Sequence, residues 1–200
     1  AKAGFASFVP PLKSNVRRAP TIMLPLPNVV VVPEFLSKPE RLLQDLVRSV
    51  RWDERLRARK TASFGVSYDY SGMTYPEVDM PSSLAEVGRL VSRELEFEPN
   101  NCLLNYYLDG ESSMGFHSDS TEELAPGTGV AIVSLGSERE MRFRYKLDRS
   151  HEVGRTLQAG SLLYMTGEFQ AHWLHAIPKA PGAGPRVSLT FRRIVKKSNA

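Results

Sequence analysis

Cysteine is almost absent. Cys102 stands alone in 200 residues, so the chain can neither close an internal disulfide nor gather a thiolate metal cluster. A reducing compartment, cytoplasmic or nuclear, is the simple expectation. Long apolar runs are also missing. No stretch approaches the roughly 18–20 residues of a membrane-spanning helix, and the opening AKAGFASFVPPLKSNVRR lacks the apolar centre of a secretory leader. No membrane partner is expected. The charge excess is small, a formal +4, and does not by itself argue for nucleic acid. With four histidines in the whole chain, each can be weighed singly.

What is present reads as a soluble domain with 42% hydrophobic and 24% charged residues. Six prolines from Pro10 to Pro33 suggest an extended arm with a strand at 28–32. Ser37 to Glu40 offers a capping box before Leu42, Leu43, Leu46, Val47 and Val50 at helical spacing, predicting a helix over 38–51. A strand over 63–70 should turn at Ser71-Gly72. A second capping box, Ser83 to Glu86, should open a helix with Leu84, Val87, Leu90 and Val91 on one face. After Pro99, short apolar or alternating runs at 102–108, 129–135, 140–146, 154–158, 161–166, 173–177 and 186–195 are separated by turn residues. The expected class is α+β, mainly β, with two packed sheets and helices covering one face.

MGFHSD places His117 two residues before Asp119. In an extended segment both side chains point the same way, and imidazole with carboxylate suits a first-row divalent metal. HWLHAIP supplies His172 and His175 on a candidate strand, where they would face opposite sides, so one of them could complete a facial triad. On the final strand, RVSLTFRRIV, Arg186 and Arg192 share a face opposite Val187, Leu189 and Phe191. Two inward arginines need anions, either a bound dicarboxylate or the protein's own acids. Asn105 and Tyr107 in NYYLDG add polar groups on one face. Three basic groups could follow a phosphate backbone: Arg48, Arg51, Arg55, Arg57, Arg59 and Lys60; Arg139, Arg142, Arg144, Lys146 and Arg149; and Arg192, Arg193, Lys196 and Lys197. His151 reads as a loop residue, and Cys102 as a small core group.

NYYLDG, GFHSDSTEELAPG, HWLHAIP and PRVSLTFR, in that order, closely resemble the AlkB family of iron(II)- and 2-oxoglutarate-dependent dioxygenases. The likeness runs from about Arg59 to Ile194 and is nearest to the demethylases that act on duplex DNA. It implies a double-stranded β-helix, or jelly-roll, core over 101–195. Residues 28–100 would then be support and substrate cover, the whole forming one dioxygenase domain over 28–200 behind an arm at 1–27. It implies iron ligands and catalytic residues at His117, Asp119 and His175. Arg186, Arg192, Asn105, Tyr107 and Ser188 fall at 2-oxoglutarate positions. Dioxygen is the co-substrate, and ascorbate is the reductant that keeps the iron ferrous.

On the substrate side, Tyr68 and Tyr70 match residues that stack on an extruded base, with His117 closing the other side, and Arg59 joins them. Trp173 is a further aromatic candidate, with core packing as its rival reading. Two departures stand out. Thr121 sits where close relatives carry an acid against the alkylated base, with Ser120 and Glu122 as neighbours able to compensate. Ser188 replaces a frequent asparagine, and its hydroxyl can still bond a carboxylate. The implied reaction is oxidative dealkylation of bases such as 1-methyladenine and 3-methylcytosine in DNA, by a monomer, giving succinate, carbon dioxide and an aldehyde. The same chemistry on RNA, protein or lipid is a rival, as is a catalytically silent nucleic-acid-binding relative.

Overall fold

The computed structural model describes residues 27–195. Most of the proline-rich arm, and Lys196 and Lys197 of the third basic group, lie outside the described residues. The chain enters at β1 (Val29–Val32) and passes through α1 (Pro39–Ser49). It continues through β2 (Lys60–Gly65), the hairpin β3 (Tyr68–Tyr70) and β4 (Met73–Tyr75), and α2 (Ser82–Leu95). Next come β5 (Asn101–Tyr107), β6 (Met114–His117), β7 (Gly129–Gly136), β8 (Arg139–Tyr145) and β9 (Glu152–Leu157). It ends with β10 (Leu162–Thr166), the short α3 (Gly167–His172), β11 (Trp173–Ile177) and β12 (Arg186–Arg192).

The strands form an antiparallel six-stranded sheet, β1-β10-β7-β12-β5-β2, facing an antiparallel four-stranded sheet, β6-β11-β8-β9. This is the two-sheet, mainly β architecture expected. Strand alternation on β12 explains how one segment serves both a core and a site. Val187, Leu189 and Phe191 pack outward into the apolar layer shared with Leu46, Leu84, Val87 and Val91 of the two helices. Arg186, Ser188, Thr190 and Arg192 point inward between the sheets. A second apolar cluster fills the rest of that inter-sheet space, with Val130 and Leu163 meeting Met141, Phe143 and Trp173.

Local details differ from the sequence reading. Neither capping box forms. Lys38, in left-handed backbone geometry, precedes α1, and Pro81 precedes α2, with no side-chain cap at either. Pro39 replaces the cap at α1, because its missing N–H removes one orphan donor and its fixed φ suits a first turn. The strand expected over 63–70 is broken. Gly65 has φ +86, and a Cβ there would lie 2.1 Å from the Asn100 carbonyl oxygen, so β2 ends where only glycine fits. The turn at Ser71-Gly72 is correct. Both residues have positive φ, 52 and 73, and close a two-residue hairpin pairing Tyr70 with Met73. His172 ends α3 rather than lying on a strand, which corrects the reading of HWLHAIP as one extended run.

Candidate metal and keto-acid site

The ladder brings the site residues together by register. On β12 and β5, Arg186 stands opposite Tyr107 and Ser188 opposite Asn105. On β11 and β6, His175 stands opposite His117, with ring centroids 4.2 Å apart. Asp119 follows β6 by two residues. One ligand atom from each of His117, Asp119 and His175 lies within 4.8 Å of the others, a group that could hold a metal ion.

The protonation states fit that use. His117 Nδ1 lies 2.9 Å from the Gly115 carbonyl, which can only accept. Nδ1 is therefore the donor in this bond, and Nε2 is the ring nitrogen that faces Asp119 Oδ1, at 3.7 Å. Burial pushes His175 down to about 4, helped by the neighbouring His117 and Arg192 against the opposing pull of Asp119, so its imidazole is neutral at ordinary pH. For Asp119, burial pushes the carboxyl up. Arg192, His175 and His117 together outweigh it and hold the group below the usual carboxylate range.

The arginines divide between the two readings offered above. Arg192 Nη2 meets Asp119 Oδ2 at 3.1 Å, and both side chains are buried. Arg186 meets no acid among the described residues. Its Nη2 donates to Ser134 Oγ at 3.0 Å, while Nε and Nη1 have no partner. Arg192 Nε and Nη1 and the Tyr107 hydroxyl are likewise buried without a bond of proper geometry. Burial lowers the Arg186 pKa. Orphaned donors of this kind are costly in a folded core. Gathered on one wall, beside a carboxylate that faces a metal position, they suit a dianion. The donor set thus fits a ferrous ion with a bound keto diacid. The free space between these side chains is ≈ 20 Å³, room for little more than a water.

Asn105 gains its orientation from Arg59. Arg59 Nε donates to Asn105 Oδ1 at 2.8 Å, and Nη2 donates to the Tyr70 hydroxyl. A guanidinium has no acceptor, so the amide oxygen must face it, and the Asn105 Nδ2 donors are turned from Arg59. Arg59 is therefore a buried strut between Tyr70 and the pocket wall rather than a surface phosphate contact. Above the triad lies an open cavity of ≈ 430 Å³ whose walls include Tyr68, Asp69, Tyr70, Phe116, His117 and Ser120. Tyr68 is 7% exposed, and its ring lies against the Arg192 guanidinium at 4.9 Å. Tyr70 is less buried and stacks 6.4 Å from Tyr68.

Several sequence candidates fall elsewhere. Thr121 and Glu122 are exposed and do not line the cavity. Ser120 does, but its Oγ accepts the Glu122 N–H. Trp173 is 4% exposed and stacks on Phe169, so the core reading holds for it. The basic groups are not continuous tracks. Arg139 is buried and donates to the carbonyls of Asp109, Ser112 and Pro178. Arg55 pairs with Asp53, Lys60 with Glu54, Arg142 with Glu140 and Arg144 with Glu152. Sequence reasoning missed Gln170, which is buried and accepts the Asp119 N–H at 2.9 Å. Nothing in the spacing of the motifs pointed to it.

Facing imidazoles, a carboxylate and guanidinium groups with unsatisfied donors, set between two antiparallel sheets, are a donor set that fits an oxygenase-type iron and keto-acid site. A family model described as the 2OG-Fe(II) oxygenase superfamily matches residues 29–192. The chain belongs to that superfamily and, within it, to the AlkB family. It is 36% identical over 148 residues to the DNA oxidative demethylase ALKBH2 of Mus musculus, covering 68% of this chain and 62% of that protein. It is 29% identical over 189 residues to the alpha-ketoglutarate-dependent dioxygenase alkB homolog 3 of the same species, covering 84% of this chain and 66% of that one. The chain thus spans just under two thirds of these relatives. The solved structure of OsALKBH1 superposes with a TM-score of 0.64 at 17% identity, over 86% of this chain and 99% of that one, and shows the shared fold.

Proposed function

We propose that the chain oxidatively removes alkyl groups from the nitrogens of DNA bases, using ferrous iron, 2-oxoglutarate and dioxygen. The observation that carries this is the set of buried, unpartnered donors on Arg186, Arg192 and Tyr107 beside the His117, Asp119 and His175 group. The DNA substrate rests on the relatives named as DNA oxidative demethylases.

His117, Asp119 and His175 would hold the ion, and Arg186, Arg192, Tyr107, Asn105 and Ser188 the keto acid. The bound ion and keto acid together supply the oxidation of a C–H bond by dioxygen. The chain supplies placement and dryness. Arg186 anchors one carboxylate and is itself fixed by Ser134. Arg192 holds Asp119 Oδ2, which leaves Oδ1 for the ion. Tyr70, held by Arg59, forms the wall on which an extruded base would stack. An alkylated adenine or cytosine carries positive charge, so an aromatic wall attracts it, by about 0.5–2 kcal/mol. Its weakened pairing lowers the cost of extrusion.

Short oligonucleotides bearing 1-methyladenine or 3-methylcytosine, incubated with iron, 2-oxoglutarate and ascorbate, should lose the mass of one methylene and release formaldehyde. Turnover of 2-oxoglutarate with no change in methylated DNA, but with oxidation of methylated RNA or a peptide, would keep the chemistry and reject the substrate.

A further inference from the structure

Gln170 lies outside the pocket wall, yet it touches the loop that carries Asp119. Helix α3 is interposed between β10 and β11, and its start is capped by Thr166 Oγ1, which accepts the Phe169 N–H at 3.2 Å. Two consecutive residues of this short helix reach the two candidate ligands that face it. The Phe169 ring is 6.4 Å from that of His175. The Gln170 side chain, on a residue 3% exposed, accepts the Asp119 N–H through Oε1 at 2.9 Å. Lys146, just past the end of β8, closes the arrangement. Its Nζ donates to the Gln170 carbonyl at 2.7 Å and to Ser118 Oγ at 3.3 Å.

Asp119 needs such help. It lies past the end of β6, so no strand ladder fixes its backbone. Arg192 holds the carboxylate from one side only. A glutamine amide oxygen is a neutral acceptor. It can satisfy the Asp119 N–H without adding negative charge beside the Asp119 carboxylate. Leucine or methionine would leave the N–H unpaired.

We propose that Gln170, braced by Lys146, is a positioning residue that sets the backbone of the Asp119 loop, so that the carboxylate presents Oδ1 to the ion while Oδ2 stays with Arg192. This rests on the reading of His117, Asp119 and His175 as the metal site. Outer partners of metal ligands typically govern affinity by about 10–100-fold. Cobalt(II) titration of the purified protein, read by its visible absorption, tests it. Gln170→Met should bind cobalt about 10-fold or more weakly and show an altered absorption envelope, which reports the ligand geometry. Lys146→Met should show a smaller loss in the same direction. Leu104→Val, in the apolar layer on the opposite side of the sheet, serves as a control for general destabilisation and should bind cobalt as wild type. Wild-type affinity and absorption in Gln170→Met overturn the proposal, as does an equal loss in Leu104→Val. If Gln170→Met does not fold, Lys146→Met decides, and an unchanged affinity there overturns it. Absence of cobalt binding by the wild type would instead reject the metal site itself.

Discussion

The floor of the site, the pocket between the two sheets, and the rim of the open cavity above it are built differently. The floor residues His175, Arg186 and Arg192 sit on β11 and β12, are at most 3% exposed, and are placed by strand register. The rim residues are Tyr70 on the short hairpin of β3 and β4 and Ser120 on the loop beyond β6. They are partly exposed, and contacts such as Arg59 to Tyr70 hold them rather than a long ladder. A buried guanidinium or imidazole cannot change without leaving its neighbours uncompensated. A rim residue can change at little cost to the fold. The difference sets the proposed keto-acid contacts in the floor and the proposed base-stacking contacts in the more replaceable rim.

The largest effect should come from the ligand set. His175→Ala should abolish metal binding and 2-oxoglutarate turnover while the protein stays folded. Asp119→Ala should do the same and also strand the buried Arg192, costing about 3–5 kcal/mol of stability. Urea unfolding beside a turnover assay separates the two variants. Equal stability of both would show that the Arg192 pair contributes nothing. At the rim, Tyr70→Ala should weaken binding of methylated oligonucleotide by about 1–3 kcal/mol, the usual range for loss of one base–aromatic stack, with 2-oxoglutarate affinity unchanged. An equal loss of both affinities would merge floor and rim into one unit.

A more gradual effect concerns pH in the metal-free protein. His175 is held down at about 4 against an ordinary 6.5. Between those values the unfolded chain takes up a proton that the folded chain refuses. Stability should therefore fall as pH drops through this window, by up to about 1.4 kcal/mol per pH unit. The Asp119 contribution is lost only at lower pH, because its carboxyl is depressed from an already low value. Denaturation midpoints at several pH values check this, and His175→Ala should flatten the slope. The smallest change expected is at Thr121. It is exposed and off the cavity wall, so Thr121→Ala should alter turnover of methylated DNA less than twofold. A larger loss would place it in the rim after all.

The floor was legible in the sequence because β-strand alternation and register are simple. Arg186 and Arg192 share parity with Ser188, and Asn105 with Tyr107, so their common face could be counted directly. The rim was less legible. The break at Gly65 depends on the approach of the Asn100 carbonyl, a contact from far along the chain. The capping boxes at Ser37 and Ser83 lost to neighbouring prolines that begin the helices without side-chain help. The arginine groups looked alike in the sequence, yet Arg139 is a buried bolt to three carbonyls while Arg149 is exposed. Burial separates them, and burial is a property of the assembled fold. Gln170 and Arg59 act through tertiary bonds that no motif spacing encodes.

The most direct test is a calorimetric titration of 2-oxoglutarate into the protein with and without manganese(II), under conditions where no oxidation occurs. One equivalent should bind when the metal is present, and Arg186→Gln should weaken it by at least about 2 kcal/mol, the lower end for truncating one partner of a buried charged pair. Binding of equal strength in Arg186→Gln, or no binding by the wild type with metal, would contradict the assignment of these orphaned donors to a keto diacid.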